Sequence, residues 1–126
     1  MTGRVLGLGV DVVDIPRLEV VLGRRSGLAE RLFTADELAY AATLSSPTAN
    51  LAGRFGAKEA TMKALGVGIG AIDWTDVSVL RRDGGAPELI VRGRAAELAA
   101  AHGVAGWQVS ISHTATIASV TVLALS

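Results

Sequence analysis

The sequence predicts an α+β fold, one domain over residues 1–126 in which a mainly antiparallel sheet packs on one long helix and several shorter ones. Three observations predict it. Apolar residues alternate with period two near both ends of the chain, from Val5 to Val13 and from Ile117 to Leu125. Between them, a segment from Ser46-Pro47 to Leu65 carries helix start and stop signals. The length, 126 residues with 50% apolar, suits one domain that buries a core without covalent staples.

The elements follow in order. In the first strand, Leu6, Leu8, Val10 and Val12 share one face, and Val5, Gly7, Gly9, Asp11 and Val13 share the other. Glycines on one strand face mark close approach by a ligand or another backbone. Asp14-Ile15-Pro16 reads as a helix start, with Asp14 as N-cap and Pro16 in the first turn. Thr34-Ala35-Asp36-Glu37 matches a capping box and opens a second helix running to about Leu44. Ser46-Pro47 opens the longest helix, through Asn50, Phe55, Lys58 and Met62 to Leu65, with Gly66 at the left-handed position after its end. Thr75 to Arg81 and Glu88 to Arg92 read as a hairpin around Asp83-Gly84-Gly85. Ala95 to His102 is an alanine-rich helix stopped by Gly103. Trp107 to Ser112 and Ile117 to Leu125 are strands joined around His113-Thr114, so the second half reads as a meander with one helix.

Composition removes several function classes. There is no cysteine, which excludes disulfides, thiolate metal sites and a cysteine nucleophile and fits a reducing, cytoplasmic compartment. The 12 basic and 12 acidic residues cancel, giving no basic balance that would point to nucleic acid. The apolar start is interrupted by Asp11 and Asp14, so no signal-peptide core forms. No charged residue lies between Leu98 and Ser126, but polar residues and glycines break that stretch and a membrane span is not expected. Walker-type, zinc-protease and nucleophile-elbow motifs are absent, and Gly7-Leu8-Gly9 lacks the third glycine of a dinucleotide fingerprint.

The long helix carries the chemistry. The chain has ten arginines and only two lysines, and both, Lys58 and Lys63, lie on this helix. That bias suggests a local demand for a compact ammonium such as a phosphate contact. Ala52, Phe55, Glu59 and Met62 follow helical spacing, placing Glu59 at the edge of the buried face. A carboxylate there needs a cation, which is either Lys63 one turn on or a divalent metal. Asp11 stands on the glycine-lined strand face with no basic residue within five positions, so Asp11 and Glu59 form a candidate pair for a hard cation such as magnesium. Arg17, Arg24, Arg25 and Arg31 cluster near the N-terminus with only Glu19 and Glu30 among them, which by itself reads as a solvated helix face.

Three blocks then carry a resemblance. Gly7-Leu8-Gly9-Val10-Asp11 with Arg17, the run Arg54-Phe55-Gly56-Ala57-Lys58-Glu59-Ala60-Thr61-Met62-Lys63-Ala64, and Val109-Ser110-Ile111-Ser112-His113-Thr114 resemble the holo-acyl-carrier-protein synthase family, the small bacterial type of 4′-phosphopantetheinyl transferase. The blocks span nearly the whole chain in the family's order. The resemblance implies the fold of that family and a transfer of phosphopantetheine from coenzyme A to a serine of acyl carrier protein, serving fatty acid or polyketide synthesis. It implies that Asp11 and Glu59 hold magnesium with the coenzyme A pyrophosphate and that Lys63 contacts the attacked phosphate. Arg54 and His113 are implied near the nucleotide 3′-phosphate, with Gly66 and Thr114 also at coenzyme A. Arg17, Arg24 and Arg31 are implied on the first helix, facing an acidic helix of the carrier. A homotrimer with active sites between subunits is also implied, with neither nucleic acid nor membrane as partner.

Glu59, acting through a water of the magnesium site, is the candidate proton acceptor. Two departures stand out. Gly56 replaces an alanine common in relatives, weakening the helix interior by roughly 1 kcal/mol at most. Val13 occupies the position of a third acidic metal ligand in larger relatives. A coenzyme A or nucleotide-binding module without turnover, or a structural trimer in which Asp11 and Glu59 merely pair with arginines, are the rival readings, and magnesium-dependent melting separates them.

Overall fold

The computed structural model describes residues 3–81 and 85–126. Strand β1 (Val5–Asp14) leads through the side chain of Asp14, which caps the backbone of Arg17 at 2.9 Å, into helix α1 (Ile15–Arg24). Helices α2 (Leu28–Leu32), α3 (Ala35–Ala42) and α4 (Pro47–Leu65) follow. A single 3₁₀ turn, Trp74–Asp76, precedes the hairpin β2 (Val77–Arg81) and β3 (Pro87–Val91). Helix α5 (Gly93–Ala101) and strands β4 (Gly106–His113) and β5 (Ile117–Leu125) complete the chain.

All strand pairs are antiparallel, but they form two sheets rather than one meander. One has the order β1-β5-β4 and the other is the β2-β3 hairpin. The first and last strands are thus neighbours, β5 in the middle of the larger sheet and β1 at its edge, with Asp11 opposite Val120. The expected turn at Asp83-Gly84-Gly85 begins on residues outside those described.

The expectation of one helix carrying Arg17, Arg24 and Arg31 is corrected. Helix α1 ends at Arg24, and Gly27, at φ +83°, starts α2, which carries Arg31. A left-handed backbone angle at that position suits glycine and breaks the helical run.

Helix α4 is the centre of the fold. It supplies Ala57, Ala60 and Met62 to the main core with Val77, Val79, Leu89, Val120 and Val122, and Ala52 to a second cluster with Val13, Ile15 and Leu18. Leu51 joins Leu32, Phe33 and Ala41 in a third. An amphipathic stripe was expected; instead the helix is buried on nearly every side. The capping signals are as read: Thr34 and Glu37 form a reciprocal box at α3, and Gly66, at φ +72°, ends α4.

The bare face of β1 is explained by α4. A Cβ at Gly7 or Gly9 would lie well inside van der Waals contact with the carbonyl oxygens of Ala64 and Ala60. The glycines therefore admit a helix backbone, not a ligand. Gly56 plays the same part toward β5, since a Cβ there would sit 2.7 Å from Val120 Cγ2. Its lower helix propensity is the condition for that approach, so an alanine at this position would not simply add stability.

Candidate active site

Between Leu51 and Met62 every residue of α4 is buried except Phe55 and Glu59, one turn apart, which are half-buried. These two face a hollow of about 400 Å³ that is also lined by Asp11, Asp14, Arg17 and Leu18. The strand and the helix approach closely through Gly7 and Gly9, and the next inward-facing residue on β1 is Asp11. The fold thereby brings Asp11 and Glu59, distant in sequence, to one opening.

The charge balance at this opening is uneven. Lys63 Nζ donates to the carbonyl of Val10 at 2.8 Å and to Asp11 Oδ1 at 3.3 Å. The Lys63 side chain is 55% exposed and that of Asp11 only 12%, so the ammonium sits on the solvent side of the carboxylate. Lys63 thus pairs with Asp11 rather than with Glu59, its neighbour one turn away. Burial first, and then the charge of Asp11, push the Glu59 carboxyl above the ordinary range, while Lys63 pulls it down. Among the described residues no group of three or more histidines or acids forms a metal-ligating cluster. Two carboxylates with one partial counter-charge are an all-oxygen donor set, of the kind that suits magnesium completed by water and phosphate oxygens. Val13, at the position of a third acid in larger relatives, is 7% exposed in the apolar cluster under the hollow.

Lys58 does not share this site, and its reading as a phosphate contact is overturned. It is 1% exposed and donates to Glu37 Oε1 at 2.8 Å, to the carbonyl of Trp74 at 3.1 Å and to that of Val77. All three ammonium protons are used inside the protein. Burial pulls Lys58 below the ordinary lysine range and Glu37 opposes it. Glu37, read from the sequence only as a cap, also accepts from Thr34 N at 3.0 Å and Val79 N at 3.2 Å. It ties α3, α4 and β2 together.

Arg54 and His113 do meet, in a second hollow of about 360 Å³ that Ser45, Ser46, Asn50 and Arg81 also line. Arg54 is 4% exposed and burial lowers its pKa, with Glu37 opposing. Its only hydrogen bond among the described residues is a long one, 3.5 Å, to the carbonyl of Asn50, and its Nε is buried without a partner. His113 Nδ1 lies 3.1 Å from the Thr114 carbonyl. Thr114 lines the adjoining hollow with His113, and its Oγ1 accepts from Ile117 N at 3.1 Å, fixing the β4–β5 turn. Arg81 and Asn50 were not singled out in the sequence, because nothing local marks a residue whose partners lie on other elements.

Gly66 lies elsewhere, in a hollow shared with Lys63, Leu8 and His102. The hollows holding Asp11 with Glu59 and Arg54 with His113 have no lining residue in common. Arg17 lines the first of them, while Arg24 and Arg31 are exposed on α1 and α2. Among the described residues none of these three arginines is in an ion pair.

Comparison with known proteins agrees with this architecture. A holo-acyl-carrier-protein synthase of Moorella thermoacetica is 45% identical over 108 residues, which cover 86% of this chain and 84% of that protein. One of Streptomyces avermitilis is 46% identical over 120 residues, 95% and 97% of the two chains. Among solved structures, a holo-(acyl-carrier-protein) synthase from Bacillus anthracis in complex with CoA (3′,5′-ADP) matches with a TM-score of 0.80 at 32% identity, over 100% of this chain and 99% of the other. Residues 7–118 match the family described as the 4′-phosphopantetheinyl transferase superfamily, and the chain belongs to that superfamily.

Proposed function

We infer that the protein transfers the 4′-phosphopantetheine group of coenzyme A to a serine of apo-acyl carrier protein, releasing adenosine 3′,5′-bisphosphate and supplying holo-carrier for fatty acid or polyketide synthesis. Its family membership supports this. The observation that carries the assignment of residues is the Asp11–Glu59 pair with Lys63 at its rim.

In the proposed reaction the serine oxygen bonds to the β-phosphorus of coenzyme A. The bond from that phosphorus to the bridging oxygen breaks, and its electron pair leaves with the adenosine bisphosphate. Asp11 and Glu59 would hold magnesium, whose chemistry is to neutralise charge on the diphosphate oxygens. Lys63, compact, exposed and already anchored on the Val10 carbonyl, is positioned to bind those oxygens as a point charge. Glu59 takes the serine proton through one intervening water, the role of a positioned carboxylate in general-base catalysis.

The remaining assignments follow from surface and charge. Arg54 and His113 take the 3′-phosphate, since a buried guanidinium with unused donors is a socket for an anion. Thr114 and Gly66 border coenzyme A. Arg17, Arg24 and Arg31 receive an acidic helix of the carrier, an arrangement that mainly raises the association rate. The outer face of the larger sheet supports a homotrimer with sites completed between subunits. Leu8 (58%), Val10 (46%) and Val12 (62%) are exposed side by side there, an apolar strip of the kind that marks an interface. The same reading takes residues 1–126 as one transferase domain working in the cytoplasm. Among the described residues, no helix is long and apolar enough to cross a membrane.

The test is mass spectrometry of an apo-acyl carrier protein incubated with this protein, coenzyme A and magnesium. The expected product carries one phosphopantetheine on its serine, and both chelator and Asp11→Ala abolish it. Tight coenzyme A binding without any mass gain on several carriers would reduce the protein to a binding module.

A further inference from the structure

Arg54 is an unusual cation for a protein interior. Its side chain is 4% exposed, no carboxylate pairs with it among the described residues, and one long bond to a carbonyl uses one of five donors. A buried guanidinium in that state needs something to fix it against rotation, because its own hydrogen bonds do not. The group that packs on it is Tyr40 of α3, whose ring centre lies 5.3 Å from Arg54 Cζ. A ring face at that distance attracts the cation without consuming its N–H groups. Tyr40 itself is at the surface, 37% exposed, so it is not held there by a demand of the core. Helix α3 is in turn held by Glu37, one turn before Tyr40, through its ties to Lys58 and Val79.

We propose that Tyr40 is a positioning residue for nucleotide recognition: its ring orients Arg54 and leaves the guanidinium donors to an anion in the hollow shared with Arg81 and His113, and so sets the preference for a coenzyme A bearing a 3′-phosphate. This rests on the reading of that hollow as the 3′-phosphate site. A carboxylate in place of the ring would hold Arg54 as well but would cancel its charge, whereas an aromatic face holds it and keeps the charge. Tyr40 acts through Arg54 and does not touch the ligand. Its removal is therefore expected to weaken binding and leave the chemical step alone.

The experiment compares coenzyme A with 3′-dephospho-coenzyme A as donors, in steady-state transfer to apo-acyl carrier protein, for Tyr40→Leu, Tyr40→Phe and Arg54→Ala. Tyr40→Leu is expected to raise KM for coenzyme A about three- to tenfold, the range of a partly desolvated cation–ring contact. It should leave kcat alone and move the dephospho donor much less. Tyr40→Phe keeps the ring and is expected to restore the discrimination. If Arg54→Ala removes the preference for the 3′-phosphate but Tyr40→Leu does not, or if Tyr40→Leu harms both donors alike, the role of Tyr40 is refuted and the 3′-phosphate site stands. If Arg54→Ala itself affects both donors equally, the assignment of the hollow fails and the role of Tyr40 fails with it.

Discussion

Lys58→Met keeps an unbranched side chain, one atom shorter, and removes its charge. Glu37, 2% exposed, would keep the backbone donors of Thr34 and Val79 at 3.0 and 3.2 Å but lose its cation. The carbonyls of Trp74 and Val77 would lose their donor in the same change. Removing one partner of a buried ion pair costs about 3–5 kcal/mol. Because two backbone N–H groups still stabilise the Glu37 charge, we expect the lower end, about 3 kcal/mol, or roughly 10 °C in melting temperature. Urea unfolding followed by circular dichroism measures it, for Lys58→Met, Glu37→Gln and the double variant. The double variant should recover about 1 kcal/mol or more, since it no longer buries an unpaired charge. A loss below about 1 kcal/mol for Lys58→Met, or strictly additive single effects, would refute the account of a fully buried, coupled pair. Activity gives an independent check. At a temperature where the variant is folded, transfer should persist, because all three Lys58 protons are used internally. A well-folded variant with turnover reduced by orders of magnitude would return Lys58 to the phosphate.

Glu59→Gln bears on pH. Burial and Asp11 raise the Glu59 pKa, so the folded state holds this proton more tightly than the unfolded chain. The contribution of Glu59 to the stability of the ligand-free protein then falls as pH rises from about 4, the ordinary glutamate range, through the raised value. Glu59→Gln should abolish that decline in melting temperature, and unchanged profiles would show that Glu59 does not carry it. Gly9→Ala drives a methyl into the Ala60 carbonyl and is expected to cost about 3 kcal/mol or more, measured by chemical denaturation. Gly56→Ala should also destabilise, by about 1–2 kcal/mol, because contact with Val120 outweighs the gain in helix propensity. Arg17→Ala is expected to raise KM for the carrier more than for coenzyme A, with the difference shrinking as salt is added; equal effects on both substrates would contradict it.

The legible parts of the fold were those written locally. Asp14, the Thr34–Glu37 box and Gly66 are caps whose chemistry lies within a few residues, and each stands where the sequence places it. The strand pattern from Ile117 to Leu125 is a period-two run and needs no partner to be recognised. Illegible were the features created by partners far along the chain. Lys58 and Lys63 are the same residue type on one helix, yet one meets Glu37 and two carbonyls while the other reaches the Val10 carbonyl at the surface. The division into two sheets depends on β1 pairing with β5 across nearly the whole sequence. At the site, the spacing of Phe55 and Glu59 was visible, but their status as the two incompletely buried positions of a surrounded helix segment was not.

The placement of Glu59 follows from what surrounds its helix. Successive residues of an α-helix are about 100° apart, so Lys58 and Glu59 point in different directions from neighbouring backbone atoms. Lys58 is locked by three acceptors on α3, the 3₁₀ turn and β2. On another side, Gly7 and Gly9 let β1 close against the carbonyls of Ala60 and Ala64, and Gly56 lets Val120 close on a third. Helix α4 therefore has little freedom to rotate or slide, and the direction of Glu59 toward Asp11 is set by contacts that do not involve either carboxylate. That arrangement holds two like charges together in the absence of any ligand, which local electrostatics alone would separate. The proposed metal site is thus preorganised by the packing of the opposite faces of one helix. Loosening the strand face, at Gly9, is expected to relax the Asp11–Glu59 repulsion as well as to weaken the core.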